Sequence, residues 1–229
     1  MTTNKELADL FRWCEDIGQF ATDRPINDTL NHQGSCVHKT KFCAATCFNN
    51  KLYKVYPKMH DRDDRIEGIW QNLDPFSVKP FLQRKRKQTK RVRLKTRGEA
   101  FANMADVFKV KEMVEDNPDT LWWVPTRAWS DPHLKTLIEI FLFPIKNIAI
   151  NASVDPSNTT EEWKMLEDDG WNIMYYGDDT LTHSPATKKK VFLCPKTHKK
   201  LKGHCDTCKA GCFSQLTMQR QQIVHLSQH

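Results

Sequence analysis

At 229 residues and 26.8 kDa, with 39% hydrophobic residues, the chain can bury a substantial core, which excludes a disordered or fibrous protein. No run approaches the ~18 apolar residues of a membrane span, and the opening MTTNKELADLFRWCEDIGQF has acidic residues where a secretory leader has basic and apolar ones, so a reducing cytosol and no membrane partner are expected. The formal charge of +7 and pI near 8.9 favour anionic partners, and in a reducing compartment eight cysteines point to metal binding or catalysis rather than to a disulfide framework.

Residues 1–90 read as an irregular N-terminal part. NKELADLFRWCEDIGQF has the spacing of one amphipathic helix, with Cys14 on it as a plain buried thiol. The stretch from Cys36 to Leu73 reads as a cysteine-rich loop followed by helix. Between Arg84 and Arg97, RKRKQTKRVRLKTR carries nine Lys or Arg in fourteen positions and no acid. It reads as a solvated linker entering a strand with a basic outer face, a surface that nucleic-acid phosphates would also suit.

Residues 91–193 alternate strand and helix. RVRLKTRGE alternates as a strand does, and the helix that follows stops at Asn117-Pro118. TLWWVPTRAW is a second strand, after which Ser130-Asp131-Pro132 offers a cap and a first-turn proline. NIAINASVD is a third, followed by a helix that Thr159 or Thr160 opens and Gly170 closes. WNIMYYGDD and KKVFLCP complete the set. Such spacing suits βαβ crossovers, and strands apolar on both faces suit a parallel sheet. The expected fold is therefore α/β, its parallel β/α units forming a partial (β/α) barrel or an open sheet, with residues 1–229 as one domain.

Residues 194–229 form a cysteine-rich C-terminal segment. Cys194, Cys205, Cys208 and Cys212 make C-x10-C-x2-C-x3-C; Cys36, Cys43 and Cys47 make C-x6-C-x3-C. Gaps of two and three residues let a turning backbone aim several thiolates at one centre, and HCDTCKAGCF is too polar to be buried without such a reason. Four thiolates suit tetrahedral zinc, with His198 and His204 close enough to substitute. The group lacks paired C-x2-C knuckles, however, and Cys194 precedes a proline, as the last cysteine of bacterial ferredoxin runs does. A [4Fe-4S] cluster on the quartet is the favoured expectation, with the trio as a second or mixed ligand set.

In parallel α/β folds ligands bind at the carboxyl ends of the strands. Those ends supply Arg97, Glu99, Thr126, Arg127, Ser153, Asp155 and His183 as candidate catalytic residues for a small-molecule substrate, with Asp178, Asp179 and Ser184 nearby. Arg97 and Arg127 are suited to clamp a carboxylate or phosphate.

The order GSCVHKTKFCAATCF, a strand ending in RGE, WVPTRAW, INASVD and CP…HCDTCKAGCF resembles a family of small cysteine-rich phage proteins known by gene-product number. The resemblance implies a virus-encoded iron-sulfur protein in the cytoplasm of the infected bacterium, served by the host's iron-sulfur assembly machinery. It also implies a barrel-like scaffold distantly similar to radical-SAM enzymes. Where relatives tend to carry Gly-Asp after the first barrel strand, this chain has Gly98-Glu99. The radical-SAM spacing C-x3-C-x2-C is missing, since Asn50 stands where a third cysteine would follow Cys43 and Cys47. A quartet-ligated cluster would be closed to SAM, so hydrolytic, ester-type chemistry is expected over radical chemistry, with Ser153, Ser184 or Cys43 as nucleophile and His183 or His38 as base.

Overall fold

The computed structural model describes residues 1–84, 91–178, 180–198, 203, 205, 208, 212 and 223–227. Its centre is an eight-stranded sheet. From β2 (Gln19–Asp23) the chain runs through β3 (Arg91–Arg97), β4 (Leu121–Thr126), β5 (Ile148–Val154) and β6 (Asn172–Gly177), each strand laid parallel beside the one before. β1 (Arg12–Cys14) pairs antiparallel with β2 at one edge, and the two-residue β7 (Phe192–Leu193) forms the other. The sheet is open, and the barrel alternative falls away because β1 and β7 do not meet.

Strands added always on the same side need crossovers of one hand, so their helices share one face of the sheet. α6 (Met104–Glu115), α7 (Pro132–Phe141) and α8 (Thr160–Asp168) do so. Val107, Val110, Ile138 and Leu166 join Val92, Leu94, Trp122, Val124, Ile150, Val154 and Ile173 in one buried cluster. The caps read from the sequence are present: Asp131 accepts from the backbone of His133 and Leu134 with Pro132 at the first turn, Thr159 and Glu162 form a capping box, and Gly170 sits at φ 82°.

Two expectations change. The first amphipathic helix is short, α1 (Asn4–Leu10), and residues 12–23 are a hairpin turned by Gly18 at φ 60°. The sheet edge outweighs the apparent helical spacing because it supplies β2 with partners in β1 and β3 that local sequence does not show. Cys14 thus sits on a strand, half-buried. The second change is β8 (Ile223–Ser227), which inserts between β6 and β7. Moving from β7 back to β8 reverses the direction of strand addition, so a right-handed crossover lies on the face opposite α6–α8. Cys212 is found there, packed with Leu226 against Trp123, Ala149 and Met174.

The end of the basic stretch turns inward, while Arg84 is exposed and Arg91 and Arg93 are half-buried. Residues 85–90 lie outside the described residues, but Lys95 is 1% and Arg97 6% exposed, and β3 is no basic outer face. A register shift between Ala21 and Asp23, with Lys95 at φ 70°, turns Lys95 onto the ring of Trp70, 3.4 Å from its centroid, in α4 (Met59–Gln71). Arg93 and Arg97 stay on the other face. After β3, Gly98 adopts φ 80°; a Cβ there would stand 2.6 Å from both the carbonyl oxygen of Arg24 and Oγ of Ser35. Arg24 is itself buried, bonded to both oxygens of Glu67 and to Asp106. Gly98→Ala is therefore expected to lower stability by roughly 1–3 kcal/mol, read as a shift in the urea unfolding midpoint.

Candidate metal centre and adjoining cavity

The C-terminal quartet is gathered at the reversal between β7 and β8. The amide of Cys194 bonds the carbonyl of His225 at 2.9 Å, tying the first thiol to β8, while the amides of Thr197 and His198 return to the Cys194 carbonyl. Burial pushes the thiol of Cys205 up to about 11 and that of Cys212 up to about 12. Cys194 and Cys208 add to both shifts, Cys205 adds to that of Cys212, and Arg93 opposes them, so the four thiols share one neighbourhood. No three His, Cys, Asp or Glu side chains among the described residues form a group that could hold a metal ion as they stand. His204 lies outside the described residues.

The trio occupies a different place. Cys43 rides on α2 (Lys41–Thr46), whose N-cap Thr40 accepts from the Cys43 amide at 2.9 Å and donates to Asp155 at 2.6 Å. This anchors the helix over the carboxyl ends of the strands. Burial raises Cys36 to about 12, with Glu99, Cys43 and Cys47 adding to the shift. Burial also raises Cys43, against the pull of Arg127. The fields acting on Cys36 and Cys43 come from the trio and the strand-end charges, those on Cys205 and Cys212 from the quartet and Arg93. The structure thus forms two separate thiol groups.

Most of the strand-end candidates are engaged in holding loops. Glu99 accepts from the amides of Ala100, Phe101 and Arg127 and from the Thr126 hydroxyl, clamping the ends of β3 and β4 together. Arg127 pairs with Asp155 at 2.5 Å, and Asp155 also accepts from Ser157 and Thr40. Arg97 bonds Asp63 and covers the ring of Tyr53. Ser153 is half-buried at the end of β5, its carbonyl bonded to Trp129. His183 is exposed and Ser184 is bonded to Glu167 in the last turn of α8, whose chain then re-enters the sheet at the start of β6. His183 and Ser184 therefore lie away from the strand carboxyl ends and from Ser153. Asp178 is exposed, and Asp179 lies outside the described residues.

What the sequence reading missed is a cavity of about 820 Å³ on the sheet face opposite α6–α8. All four quartet cysteines line it, and Cys14 joins them. Arg12, Arg62, Arg93 and Arg97 also line it, with apolar surface from Ile17, Trp123, Met174 and Leu226. Tyr176 closes the end toward the trio, its hydroxyl bonded to the Thr46 carbonyl. The available signal was charge alternating with Val92 and Leu94 along a strand buried in a sheet: Arg93 and Arg97 then need something polar on the second side.

Asp23 is the carboxylate on this wall. Burial alone would raise it, but Arg12, Thr96 and Arg97 outweigh burial and hold it at about 2. Because the folded value lies below the unfolded one, the stabilisation is complete above pH ~4 and fades as pH falls toward 2, amounting to roughly 2 kcal/mol. Asp23→Asn is expected to be less stable than the parent at pH 7 and to flatten the loss of stability between pH ~4 and ~2, as measured by urea titrations at each pH.

Among proteins of known sequence, the Gene 88 protein of Mycobacterium phage L5 is 28% identical over 178 residues, covering 72% of this chain and 70% of that relative. No solved structure gives a match. The family model described as Gene product 88 matches residues 20–215, from the start of the parallel sheet to just beyond the last quartet cysteine, and this chain belongs to that phage protein family.

Proposed function

We propose that this phage protein is an iron-sulfur enzyme, with a [4Fe-4S] cluster held by Cys194, Cys205, Cys208 and Cys212 and a small-molecule substrate bound in the cavity those thiols line. One observation carries the reading: all four thiols of a nineteen-residue segment line one cavity on the sheet face opposite α6–α8, large enough for a small molecule. Their chemistry fits the group. Burial leaves Cys205 and Cys212 protonated at neutral pH, and a bound metal is what removes such protons. Arg93 beside them offsets the negative charge of a thiolate set.

Bound on all four thiolates, a cluster would supply an electron-transfer centre; a Lewis acid suited to ester cleavage would need an iron that one thiolate has left. The chain's own residues then do the binding: Trp123, Met174 and Leu226 exclude water, and the arginines orient the substrate. Hydrolysis through Ser153 and His183 draws no support from their separate positions. A radical-SAM variant would draw on Cys36, Cys43 and Cys47, which as three thiolates leave a fourth position open, next to Arg127. Lys95 and Arg97 are buried and offer nothing to nucleic acid, so the alternative nucleic-acid reading would rest on Arg84, Arg91 and residues 85–90. Assembly by the host's iron-sulfur machinery in the cytoplasm of the infected cell completes the proposal; no helix among the described residues is long and apolar enough to cross a membrane.

Anaerobic preparation should yield brown protein with about four iron and four sulfide per chain, and Cys208→Ala should bleach it. Colour kept in Cys208→Ala and lost in Cys43→Ala would move the cluster to the trio. Colourless protein carrying about one zinc would replace iron-sulfur by a structural zinc site. With 4-nitrophenyl acetate, turnover above background in metal-loaded protein alone would assign ester chemistry to the centre, and equal rates in loaded and metal-free protein would remove it.

A further inference from the structure

The cavity carries more positive than negative charge. Arg12 and Arg62 both bond Asp23, at 3.1 and 3.2 Å, and Arg97 is satisfied on one side by Asp63. Arg93 is different. Among the described residues no carboxylate pairs with it; its guanidinium lies 4.6 Å over the ring of Trp123, and its Nε is buried without a hydrogen-bond partner. Two further polar atoms on the same wall share that condition, Nε of Arg97 and Oγ of Ser227, in side chains belonging to residues 6% and 5% exposed.

An arginine cannot escape burial by giving up its proton, and an uncompensated buried cation is costly by several kcal/mol. Buried polar groups left without partners are rare, and here three stand around one space that is large enough for a small molecule. The rest of the lining is mostly apolar, with Ile17, Leu52, Met174 and Leu226 on it. A cavity of this kind suits a ligand that brings both an apolar body and one negative group.

We propose that the cavity binds a small organic anion, an apolar body ending in a carboxylate or phosphate, with the anionic group held by Arg93 and Arg97 and the body laid against Trp123, Met174 and Leu226. This deepens the small-molecule reading given above, and its support is the arginines and the apolar wall rather than the metal. The competing role for Arg93 is as counter-charge to the quartet, since Cys205 and Cys212 lie within its field. The guanidinium fork is matched to two oxygens of a carboxylate or phosphate, which a compact ammonium is not.

The test is isothermal titration calorimetry of the full chain with 4-phenylbutyrate, phenyl phosphate and the neutral control 4-phenylbutanol. At least one anion should saturate a single site about tenfold more tightly than the alcohol, and which anion binds better assigns the carboxylate or the phosphate. Arg93→Met should bring the anion to the level of the alcohol, and Arg93→Lys, which keeps the charge beside the quartet, should leave metal content and absorption spectrum unchanged and recover part of the loss. Met174→Trp, which fills the cavity and keeps every arginine, should abolish binding of anion and alcohol alike, with near-ultraviolet circular dichroism confirming the fold. Because Cys208→Ala should lose metal yet still bind the anion, failure of the iron-sulfur reading is distinguishable from failure of this one. Equal affinity for anion and alcohol, binding that survives Met174→Trp, or an Arg93→Met protein that binds normally but loses metal would each overturn the proposal, the last by giving Arg93 to the quartet.

Discussion

The handedness of one connection organises the molecule. β2 to β6 are laid down in one direction, and right-handed crossovers place α6, α7 and α8 on a single face. Had the chain ended at β6, the second face, with Trp123, Ala149 and Met174 on it, would have met water. The step from β7 back to β8 reverses the direction of addition and carries the cysteine-rich segment to that uncovered face. The quartet is therefore both a lid for the sheet and a wall of the cavity beneath it.

Charge is distributed to match. At the carboxyl ends of β3, β4 and β5 the carboxylates of Glu99 and Asp155 are saturated by backbone amides, hydroxyls and Arg127, and they fix loop geometry. Each thiol group has an arginine beside it, Arg127 at the trio and Arg93 at the quartet, but only the trio also has the carboxylates of Glu99 and Asp155 in its field. The buried pairs of Arg24 with Glu67 and Asp106 have another task. They tie the end of β2 to α4 and α6 and support the turn at Gly98 from below.

Much of the local structure was written in the sequence because its causes are local. Alternation in RVRLKTR, the Asp131-Pro132 cap, the Thr159 to Glu162 capping box and the closing Gly170 each act within a few residues, and each element formed where they predicted. Cys205, Cys208 and Cys212 of the C-x2-C-x3-C run all line one cavity. Misreadings arose where a partner distant in sequence decides. The hairpin at residues 12–23 exists because β3 accepts β2 at its edge, and β8 exists because β6 and β7 leave a place between them.

The sequence by itself thus determined an α/β chain with parallel strands and two cysteine groups, because periodicity, caps and spacing are properties of neighbours along the chain. Only the tertiary structure decided that the sheet stays open, that Ser153 and His183 stay apart, and that Arg93 faces a cavity beside the quartet. Those outcomes depend on which strands pair and which face each crossover covers, and contacts of that kind are made between residues as far as a hundred positions apart or more.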